Sequence, residues 1–479
     1  MTNVFVFGAF NVLHPGHLRF LKFAKERGDH LIVGVLSDRM AGSAAHIPQN
    51  YRIEAIESNS LVDEVILIDE SIEAVIEKIK PSIVVKGKEF ETKSNPELGA
   101  IKKYGGRLVF SSGEALFSSL DLIKNEFNSY LDHSIRSPKD FIENHNITQD
   151  RLINLIKNFS KIRVCIIGDL IVDEYITCEP LGMSQEDPTL VVSPISSMKF
   201  IGGAGIVAAH AAGVGAKVTF ISASGDDSNK NFAELELKKA NVNFNIFSDS
   251  ERPTTHKQRF RSQGKTLLRV SHLHQGNLSL EIQDLICKEF SNISKETDLL
   301  VFSDFNYGCL PQDLVNRLTL IAKENSILCA ADSQSSSQVG NIGRFLNMDL
   351  ITPTEREARL STRDFETGLV VLAEKLRIES NANNIILKLG GEGALIQTAF
   401  SIKSPWVTDR LPALNSSPKD VAGAGDSLLI TASLCLALKA TIWESALIGS
   451  IAAAIQVSRL GNIQLQSDEL LREVYGFRN

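Results

Sequence analysis

The sequence predicts a protein of two α/β units, with a small β-sheet added to the second. Short apolar runs alternate with helical patterns along most of the chain, which is typical of parallel sheets covered by helices on both faces. The 479 residues suffice for two or three domains, each with its own core. A polar, irregular stretch over about 118–146 separates two complete α/β patterns.

The composition is that of a folded protein, because 43% of the residues are hydrophobic and 22% are charged. The formal net charge of −7 provides no overall positive field, so we expect neither nucleic acid nor a membrane as a partner. The start lacks a basic segment with a cleavage site, and no apolar run reaches about 18 residues. The scattered cysteines suit free buried thiols in a reducing compartment, and we expect a cytoplasmic protein.

The first domain is predicted over residues 1–135. Its helical patterns separate five apolar runs that we interpret as parallel strands: Val4–Phe7, Leu31–Leu36, Val62–Ile68, Ile83–Lys86 and Leu108–Phe110. Such a sheet binds its ligands beyond the carboxyl ends of the strands. Residues 136–147 are polar and irregular, and we interpret them as a linker.

The second domain is predicted over residues 148–479. It opens with an amphipathic helix that Thr148 is placed to cap. Buried strands are expected at five further apolar runs: Arg163–Asp169, Val218–Ile221, Leu299–Phe302, Ile327–Cys329 and Ile385–Leu387. The stretches 189–194, 254–261 and 266–270 have β-structure patterns with little helix between them. They predict a small sheet beside the main one, which we interpret as a lid.

The strongest motif of the first domain directly follows its first strand. In Phe7-Gly-Ala-Phe-Asn-Val-Leu-His-Pro-Gly-His17, Gly8 permits a tight exit from the strand, Pro15 suits a first helical turn and Gly16 leaves backbone room for a ligand. A helix N-terminus binds anions, and two imidazoles three residues apart can face one pocket. His14 and His17 would therefore stabilise charge that develops on a phosphate in a transition state. An isolated H-x-G-H string is more often structural, so its context decides.

That context resembles the cytidylyltransferase-like nucleotidyltransferases, whose signature is H-x-G-H, over about residues 3–125. Leu31–Asp38 is similar to the family's second strand with its closing aspartate, Val62–Val65 to its VDEV segment and Lys80–Gly87 to its KPDVLVKG strand. The resemblance implies a Rossmann-like fold. It also implies nucleotide and phosphate contacts, at the following residues: Phe7, Gly8, Phe10, Gly16, Lys86 and, in the late motif, Ser118 and Ser119.

The first domain departs from that family at two places. Asn11 stands where the family usually has aspartate, and the R-x-x-K-G segment is shortened to Arg39-Met-Ala-Gly42 without its lysine. A lost lysine removes one charge that compensates the nucleotide phosphates. Arg39 and Lys88 are candidate replacements.

The second domain carries Asp420-Val-Ala-Gly-Ala-Gly-Asp426 directly before a long apolar helical run. Glycines at a helix start expose successive N–H groups as an anion nest, which we assign to Gly423, Ala424 and Gly425. A carboxylate one residue further, Asp426, can take the proton from an attacking hydroxyl. No lysine-bearing P-loop is present in the sequence, so this is a different phosphoryl-transfer arrangement. Alone, the motif is equally compatible with a glycine-rich turn.

This motif resembles the D-x-x-G-A-G-D signature of the ribokinase-type (PfkB) sugar kinases, over about residues 148–479. The resemblance implies a ribokinase-like fold and assigns roles in the family's order. Sugar contacts are implied in the opening strand and the first glycine helix: Asp169, Asp173, Gly202 and Gly203. Magnesium organisation is implied for Glu357 of Thr352-Pro-Thr-Glu-Arg-Glu357, and nucleotide contacts are implied for Lys388, Gly390 and Gly393.

Finer matches, in Gly182–Val192 and Ser303–Gly308, resemble the heptose-phosphate kinases of lipopolysaccharide precursor synthesis, which are often fused to a heptose 1-phosphate adenylyltransferase; here the order is reversed. Departures lie at the sugar end, where Ile206, Tyr307 and Thr354 replace an asparagine, a lysine and an asparagine. An apolar isoleucine cannot hydrogen-bond a sugar hydroxyl, so the sugar can differ from heptose 7-phosphate. Four lid cations are candidates for pairing with a substrate phosphate: Arg252, Lys257, Arg259 and Arg269.

Together these features predict a bifunctional enzyme that makes a nucleotide-activated sugar, with sugar phosphate and nucleotide as its small-molecule partners. One half would phosphorylate a sugar or sugar phosphate with ATP and Mg²⁺, and the other would transfer a nucleotidyl group from ATP or CTP to a sugar 1-phosphate. The alternative is that one half is catalytic and the other is a degenerate binding or assembly module. By resemblance, lid strands that pair between subunits imply a homodimer. The sequence leaves the sugar, the choice between ATP and CTP, and the pathway open.

Overall fold

The structure is a computed structural model that describes residues 2–11, 13, 15–42, 47–87, 95–111, 135–262, 265–335, 338–400 and 407–477. The chain divides into two compact units. The first is Met1–Asp132 with Asp364–Leu372, and the second is His133–Arg363 with Ala373–Asn479.

The described part of the first unit holds one parallel sheet with the strand order β3-β2-β1-β4-β5. Its strands are β1 (Asn3–Gly8), β2 (His30–Leu36), β3 (Glu64–Ile68), β4 (Ile83–Gly87) and β5 (Arg107–Ser111). Its helices are α1 (Pro15–Lys25), α2 (Asp38–Ala41), α3 (Gln49–Glu57), α4 (Ile72–Ile79) and α5 (Leu98–Lys103). The strand order changes direction between β1 and β4, which is where such sheets bind ligands.

Side chains of β1 alternate between the two faces of this sheet, because successive residues of a strand point to opposite sides. Val4 and Val6 are fully buried on the face covered by α1 and α3. Phe5 is fully buried on the opposite face, against α4 and α5. The parallel sheet covered on both sides that the apolar runs predict is therefore confirmed.

The second unit is larger and contains two sheets in its described part. Its strands are β6 (Arg163–Gly168), β7 (Leu170–Met183), β8 (Leu190–Gly203), β9 (Lys217–Ser224), β10 (Asn243–Ser248), β11 (Thr255–Ser262), β12 (Lys265–His272), β13 (Leu299–Asp304), β14 (Leu328–Ser333), β15 (Leu350–Ile351), β16 (Asn384–Lys388), β17 (Ala394–Thr398) and β18 (Thr408–Leu411). The main sheet has the order β10-β9-β6-β13-β14-β15-β16-β17-β18 and is parallel as far as β16. Strands β17 and β18 continue it antiparallel.

The helices of this unit include several that pack on the main sheet around an extensive apolar core. They are α6 (Lys139–Asn144), α7 (Gln149–Lys157), α8 (Ala204–Gly213), α9 (Ser228–Lys239), α10 (Leu280–Ile293), α11 (Gln312–Glu324), α12 (Glu355–Thr362), α13 (Leu369–Ser380), α14 (Ala424–Ala437), α15 (Ile442–Val457) and α16 (Ser467–Gly476), with short 3₁₀ turns at Phe159–Lys161, Ser294–Glu296, Ile342–Arg344 and Gly390–Glu392. The Thr148 side chain accepts a hydrogen bond from the Arg151 N–H, so it caps α7 as the sequence predicts.

The second sheet of this unit has the order β12-β11-β7-β8 and is the predicted lid. Strand β7 pairs parallel with β11 and antiparallel with β8. The parallel register places Lys257 opposite Asp173 and Arg259 opposite Tyr175. Because the side-chain period of a strand is two, both cations lie on the same face as Asp173.

Three further sequence expectations can be compared with these units. All six cysteines are buried and unpaired. Among the residues that the structure describes, no helix has the length and apolar character needed to cross a lipid bilayer. The predicted linker 136–147 contains α6, whose Phe141 is 3% exposed and lies in the core of the second unit. Phe141 is surrounded by polar residues in the sequence, so the pattern does not indicate that it is buried. The segment packs on the second unit through this side chain.

Candidate active sites

Asp426 lies at the start of α14, where the sequence analysis predicts an anion nest. Gly423 precedes the helix with φ of 76°, a conformation that favours glycine. Asp426 lies in the first turn, 6% exposed, and its Oδ1 accepts a hydrogen bond of 3.0 Å from Gln334 Nε2. Burial and the neighbouring Asp332 carboxylate raise the pKa of Asp426 to about 7, against the opposing effect of Lys388. A carboxylate with this pKa is suited to general-base chemistry near neutral pH.

Asp426 opens into a cavity of about 570 Å³ that gathers residues from separate motifs. Long stretches of chain separate these motifs, and the parallel sheet brings them to one end. The cavity is lined by the predicted nest, by predicted nucleotide, sugar and magnesium residues, and by lid cations: Gly423, Ala424, Gly425, Lys388, Gly390, Gly393, Asp173, Gly203, Glu357, Lys257 and Arg259. The structure therefore brings together most of the residues predicted for the second domain.

Lys388 links this cavity to a second buried carboxylate. Its Nζ lies 3.0 and 2.9 Å from the two carboxylate oxygens of Asp332, at the end of β14. A Cβ built on Gly425 would lie 3.1 Å from the same Nζ, so the ammonium also sits against the start of α14. Although burial opposes it, the Asp332 carboxylate raises the pKa of Lys388, which keeps the charge in place.

Glu357 is held by backbone donors where it lines the cavity. Its two carboxylate oxygens accept hydrogen bonds from the N–H groups of Ser335, at 2.9 Å, and Thr354, at 2.7 Å. The Thr354 hydroxyl caps α12 in return, so threonine performs the capping that asparagine also provides. Among the described residues no cluster of three or more acidic, histidine or cysteine side chains forms a metal cage. Mg²⁺ keeps several waters and takes one or two carboxylates with substrate phosphates, so Glu357 fits such an ion.

The lid supplies the other wall of the cavity, opposite α14. Asp173 is 6% exposed, and Arg259 lies 3.8 Å from its Oδ1. The Nζ of Lys257 lies 5.0 and 4.9 Å from the ring centroids of Phe305 and Tyr307. Burial raises the pKa of Asp173, while Arg259 and Lys257 lower it. The wall therefore presents one carboxylate and two cations to a ligand.

The other two lid cations do not line this cavity. Arg252 is buried, pairs with Asp249 at 2.8 Å and donates to backbone carbonyls. Arg269 is exposed on β12.

Two residues predicted to bind the sugar contact other protein groups and are not among those that line the cavity. The Asp169 carboxylate accepts hydrogen bonds from the backbone N–H groups of Phe305, Tyr307 and Cys309, and the residue is not among those lining the cavity. We therefore correct its assignment from sugar ligand to support of the loop after β13. Gly202 lies behind Asp173, because a Cβ there would come within 2.3 Å of the Asp173 Oδ2.

The substitutions Ile206 and Tyr307 also lie in packed surroundings. Ile206 is 1% exposed and belongs to the core around α8. Tyr307 is equally buried and packs with Ile171 and Phe305. Neither residue is among those that line the cavity.

The candidate site of the first unit lies at the carboxyl end of β1. Phe10 is buried in a left-handed conformation with φ of 48°, uncommon for a bulky residue and often found at functional sites. Its ring lies against Gly8, where a Cβ would come within 3.3 Å. The ring centroid of His17, in the first turn of α1, lies 5.2 Å from that of Phe10. Helix α1 begins at Pro15, as predicted, with Gly16 next in the same turn.

Arg52 organises this end of the sheet, and sequence analysis missed it. Its side chain is fully buried, with N–H groups donating to the carbonyls of Ala9, Leu36 and Ile47 and to Asp38. It thus ties the ends of β1 and β2 together. An arginine in a polar stretch of sequence is ordinarily exposed, so the residues around Arg52 do not indicate that it is buried.

The predicted phosphate-binding cations of the first unit contact carboxylates. Lys86, on β4, bonds to Glu97 and to Asn95, and its Nζ lies 5.8 Å from the ring centroid of Phe7. Arg39 pairs with Asp69 at 3.1 Å. Asn11 accepts a long hydrogen bond of 3.4 Å from the Ile47 N–H. Four predicted positions lie outside the described residues: His14, Lys88, Ser118 and Ser119.

Comparison with known families identifies both units. A family model described as pfkB family carbohydrate kinase matches residues 161–469. The chain belongs to the pfkB family of carbohydrate kinases. A second model, described as cytidylyltransferase-like, matches residues 5–107. This member of the pfkB family therefore carries an N-terminal domain that is similar to the cytidylyltransferase-like family, in the reverse order to the bifunctional HldE proteins that the chain resembles.

Curated proteins similar to this chain include bifunctional HldE proteins. That of Desulfatibacillum aliphaticivorans is 27% identical over 317 residues, which is 65% of this chain and 63% of the relative. That of Campylobacter jejuni is 28% identical over 318 residues, which is 65% of this chain and 64% of the relative. The chain thus matches less than two thirds of their length.

Solved structures agree with the kinase fold. Phosphofructokinase-2 from Escherichia coli, in complex with substrates and products, aligns with a TM-score of 0.53 and 17% identity, over 66% of this chain and 99% of that chain. Arabidopsis thaliana ribokinase, complexed with ribose and ATP, aligns with a TM-score of 0.51 and 16% identity, over 65% and 98%. Likeness at this identity establishes the ribokinase-like fold alone.

Three cavity or near-cavity residues of the pfkB unit escaped the sequence analysis. Asp332 ends a buried strand and pairs with Lys388, so its position after an apolar run was a usable signal. Gln334 lies two residues further on and contacts Asp426. Asn462 lies between α15 and α16 and lines the cavity, but no motif surrounds it.

Proposed function

We propose that the second unit transfers the γ-phosphoryl group of ATP to a hydroxyl of a sugar or sugar phosphate. The observation that carries this proposal is the placement of Asp426 in one cavity with the nest at α14, Lys388 and the lid wall. A nucleotide at the Lys388 side and an acceptor at the lid side would meet at Asp426. Most of the catalysis is then positioning and electrostatics.

In this mechanism Asp426 takes the proton from the acceptor hydroxyl as its oxygen attacks the γ-phosphorus. The bond to the β-bridging oxygen breaks, and ADP leaves. The N–H groups of Gly423, Ala424 and Gly425 stabilise the charge on the transferred group. Magnesium ion, held by Glu357 and the phosphates, would neutralise phosphate charge. Lys388 adds a positive charge beside the start of α14.

The lid wall favours a phosphorylated acceptor. Lys257 and Arg259 both line the cavity, whereas Asp173 supplies a single carboxylate. Two cations and one carboxylate leave a positive surplus that suits a sugar with its own phosphate. A heptose 7-phosphate-like acceptor fits this class, as do hexose phosphates.

For the first unit we propose nucleotidyl transfer. The phosphate oxygen of a sugar 1-phosphate would attack the α-phosphorus of ATP or CTP, forming a nucleotide sugar and releasing pyrophosphate. His14 and His17 would stabilise the developing charge, with Gly8, Phe10 and Gly16 near the nucleotide, and Lys86, Ser118 and Ser119 near the phosphates. The family match and the placement of His17 beside Phe10 at the end of β1 support this role.

A second candidate function has its own support. Lys86 and Arg39 each contact a carboxylate, and buried Arg52 contacts Asp38. Cations already paired bind phosphate less strongly, because a competing carboxylate must be displaced. This favours a reading in which the first unit binds a ligand or assists assembly and the second unit alone is catalytic.

The decisive experiment incubates the full chain with MgATP, MgCTP and a panel of hexose and heptose phosphates. Mass spectrometry then identifies sugar bisphosphates and nucleotide sugars. Asp426→Asn is expected to abolish phosphorylation but not nucleotidyl transfer to a supplied sugar 1-phosphate, and His17→Ala the reverse. Wild-type protein that phosphorylates no acceptor contradicts the kinase proposal. Sugar bisphosphates without any nucleotide sugar favour the second candidate.

A further inference from the structure

Two buried oxygen atoms at the lid end of the cavity have no hydrogen-bond partner. They are Oδ1 of Asp173 and Oδ1 of Asn462, on two residues that both line the cavity. Arg259 lies 3.8 Å from the first, which is beyond hydrogen-bond distance. An unsatisfied buried acceptor destabilises the fold, so such atoms favour a ligand that supplies a donor. A ligand in the cavity is the available source of one.

The surroundings fix the orientation of the Asn462 amide. Its Nδ2 donates to Asp173 Oδ2 at 3.2 Å and to the Ile201 carbonyl at 3.4 Å. Both partners are acceptors, so the amide nitrogen must face them and the oxygen must face away. On that other side, a Cβ built on Gly423 would lie 2.7 Å from Oδ1.

Asn462 therefore spans the space between the sugar wall and the phosphoryl nest. Asp173 marks the acceptor end, and Gly423 begins the nest that would hold the transferred phosphoryl group. A hydroxyl positioned for attack must lie between these two features. The amide oxygen of Asn462, a cavity-lining residue, is an acceptor only, so it suits an O–H donor from a ligand bound there.

We propose that Asn462 is a specificity-determining residue that accepts a hydrogen bond from an acceptor hydroxyl next to the one that is phosphorylated, with Asp173 accepting from a second. The ligand class is a polyol or sugar with adjacent hydroxyls. This inference rests on the proposed kinase function.

The test uses the full chain with MgATP and four acceptors: D-ribose, D-fructose 6-phosphate, D-mannose 6-phosphate and sedoheptulose 7-phosphate. With the best acceptor, Asn462→Ala is expected to raise the acceptor KM about tenfold or more, as losing about 1.4 kcal/mol of binding requires. The KM for ATP should stay within about twofold, since that end of the cavity is untouched. Asn383→Ala, an amide lost outside the cavity, is the matched control and should change neither KM.

Deoxy analogues of the best acceptor separate recognition from mere support of Asp173. If Asn462 reads one hydroxyl, the wild type discriminates against the analogue lacking it, and Asn462→Ala loses that discrimination at this position alone. Uniform weakening of all analogues overturns the assignment. Thermal melting confirms that each variant folds, and Asn462→Gln serves as a second variant if the alanine protein does not.

The two failures are distinguishable. An active wild type whose acceptor KM and analogue preferences are unchanged by Asn462→Ala overturns this inference alone. A wild type that phosphorylates none of the acceptors overturns the proposed kinase function and this inference together.

Discussion

At the residue scale, Asp426 is where the requirements of folding and of the proposed chemistry conflict. The helix start that gives it access to the cavity also buries it, and burial raises its pKa to about 7. Gln334 and Lys388 partly offset this cost by donating to Oδ1 and by placing a cation nearby. The buried carboxylate therefore lowers the stability of the folded state, and selection for stability alone would not retain it.

Replacing Asp426 by asparagine should separate these two requirements. Phosphorylation should fall about a hundredfold to ten-thousandfold, the range that a general base contributes. Stability should rise, because the pKa of the carboxyl is higher in the folded state than in the unfolded chain. Wild-type stability from this group is present below about pH 4 and is lost as pH rises to about 7, whereas asparagine stays neutral.

Urea unfolding of the Asp426→Asn variant at about pH 5.5 and about pH 8 measures this effect. The advantage of the variant should grow with pH and reach the order of a few kcal/mol. Asp468→Asn, in the first turn of α16, is the control and should show no such trend. A variant less stable than wild type at the higher pH would contradict the burial argument.

The pH dependence of turnover is a second prediction at this scale. The proposed base acts only when ionised, so kcat/KM for the acceptor should rise about tenfold per pH unit below pH 7 and level off above it. Initial rates across this range at saturating MgATP are the measurement. A flat profile through neutral pH would remove Asp426 from the role of base.

At the element scale, the motifs that sequence analysis recognised share a simple property. Each follows a strand or begins a helix, so its chemistry is encoded within about ten consecutive residues. Asp426, Lys388 and His17 are examples, and the structure places each at the end of a strand or the start of a helix. Such local signals predict position in the fold well.

Residues that act across the fold leave no local signal. Asn462 contacts Asp173, which lies 289 positions earlier in the chain. Gln334 contacts Asp426, which lies 92 positions later. Asp169 illustrates the opposite case. Its position in the motif predicted contact with the sugar, but its carboxylate accepts hydrogen bonds from backbone N–H groups. Only the packed sheet decides which of these groups face the cavity.

The lid sheet is the element that carries the predicted homodimer. Its strand β8 is an edge strand of the described sheet, and strands β7, β8 and β12 expose large apolar side chains: Leu181, Met183, Leu190, Val191, Ile195, Met198 and Leu268. Monomers rarely leave such a group of apolar side chains in water, and an edge strand is a template for pairing. A second copy of the same sheet satisfies both requirements through a two-fold contact.

Light scattering after size exclusion tests the homodimer. Wild-type protein should have twice the mass of one chain, and the double substitution Leu181→Glu with Ile195→Glu should return it to a single chain. Leu280→Glu, equally exposed but outside the lid, should leave the mass unchanged. A wild type that has the mass of one chain at micromolar concentration would end the prediction.

At the scale of the whole molecule, two units with separate sheets carry the two proposed chemistries. The predicted domains were 1–135 and 148–479, with 136–147 as a linker. The structure assigns residues 136–147 to the second unit. The Arg136 N–H donates to the Leu414 carbonyl, and Ile135, directly before this segment, bridges to Asn415. The contacts of Phe141 and His145 therefore decide the residue at which a stable version of the second unit can begin.

A protein starting at residue 133 should consequently be more stable than one starting at 148. The shorter version loses Phe141 from the core, and burying a phenylalanine contributes about 1.5–3 kcal/mol. It also loses His145, whose ring stacks on Trp443 at 4.0 Å and bonds to Asp409 at 2.8 Å. Removing them exposes Trp443, which the segment otherwise covers.

Thermal unfolding of 133–479 and 148–479 measures the difference, and Phe141→Ala in the longer version isolates the core anchor. We expect a lower melting temperature for both altered proteins and a larger loss for the truncation, because it removes Phe141 and His145 together. Lys139→Ala, on the same short helix, is the control. Equal stability of the two versions would favour the predicted linker and would mean that the apolar contacts of α6 add nothing to the fold of the second unit.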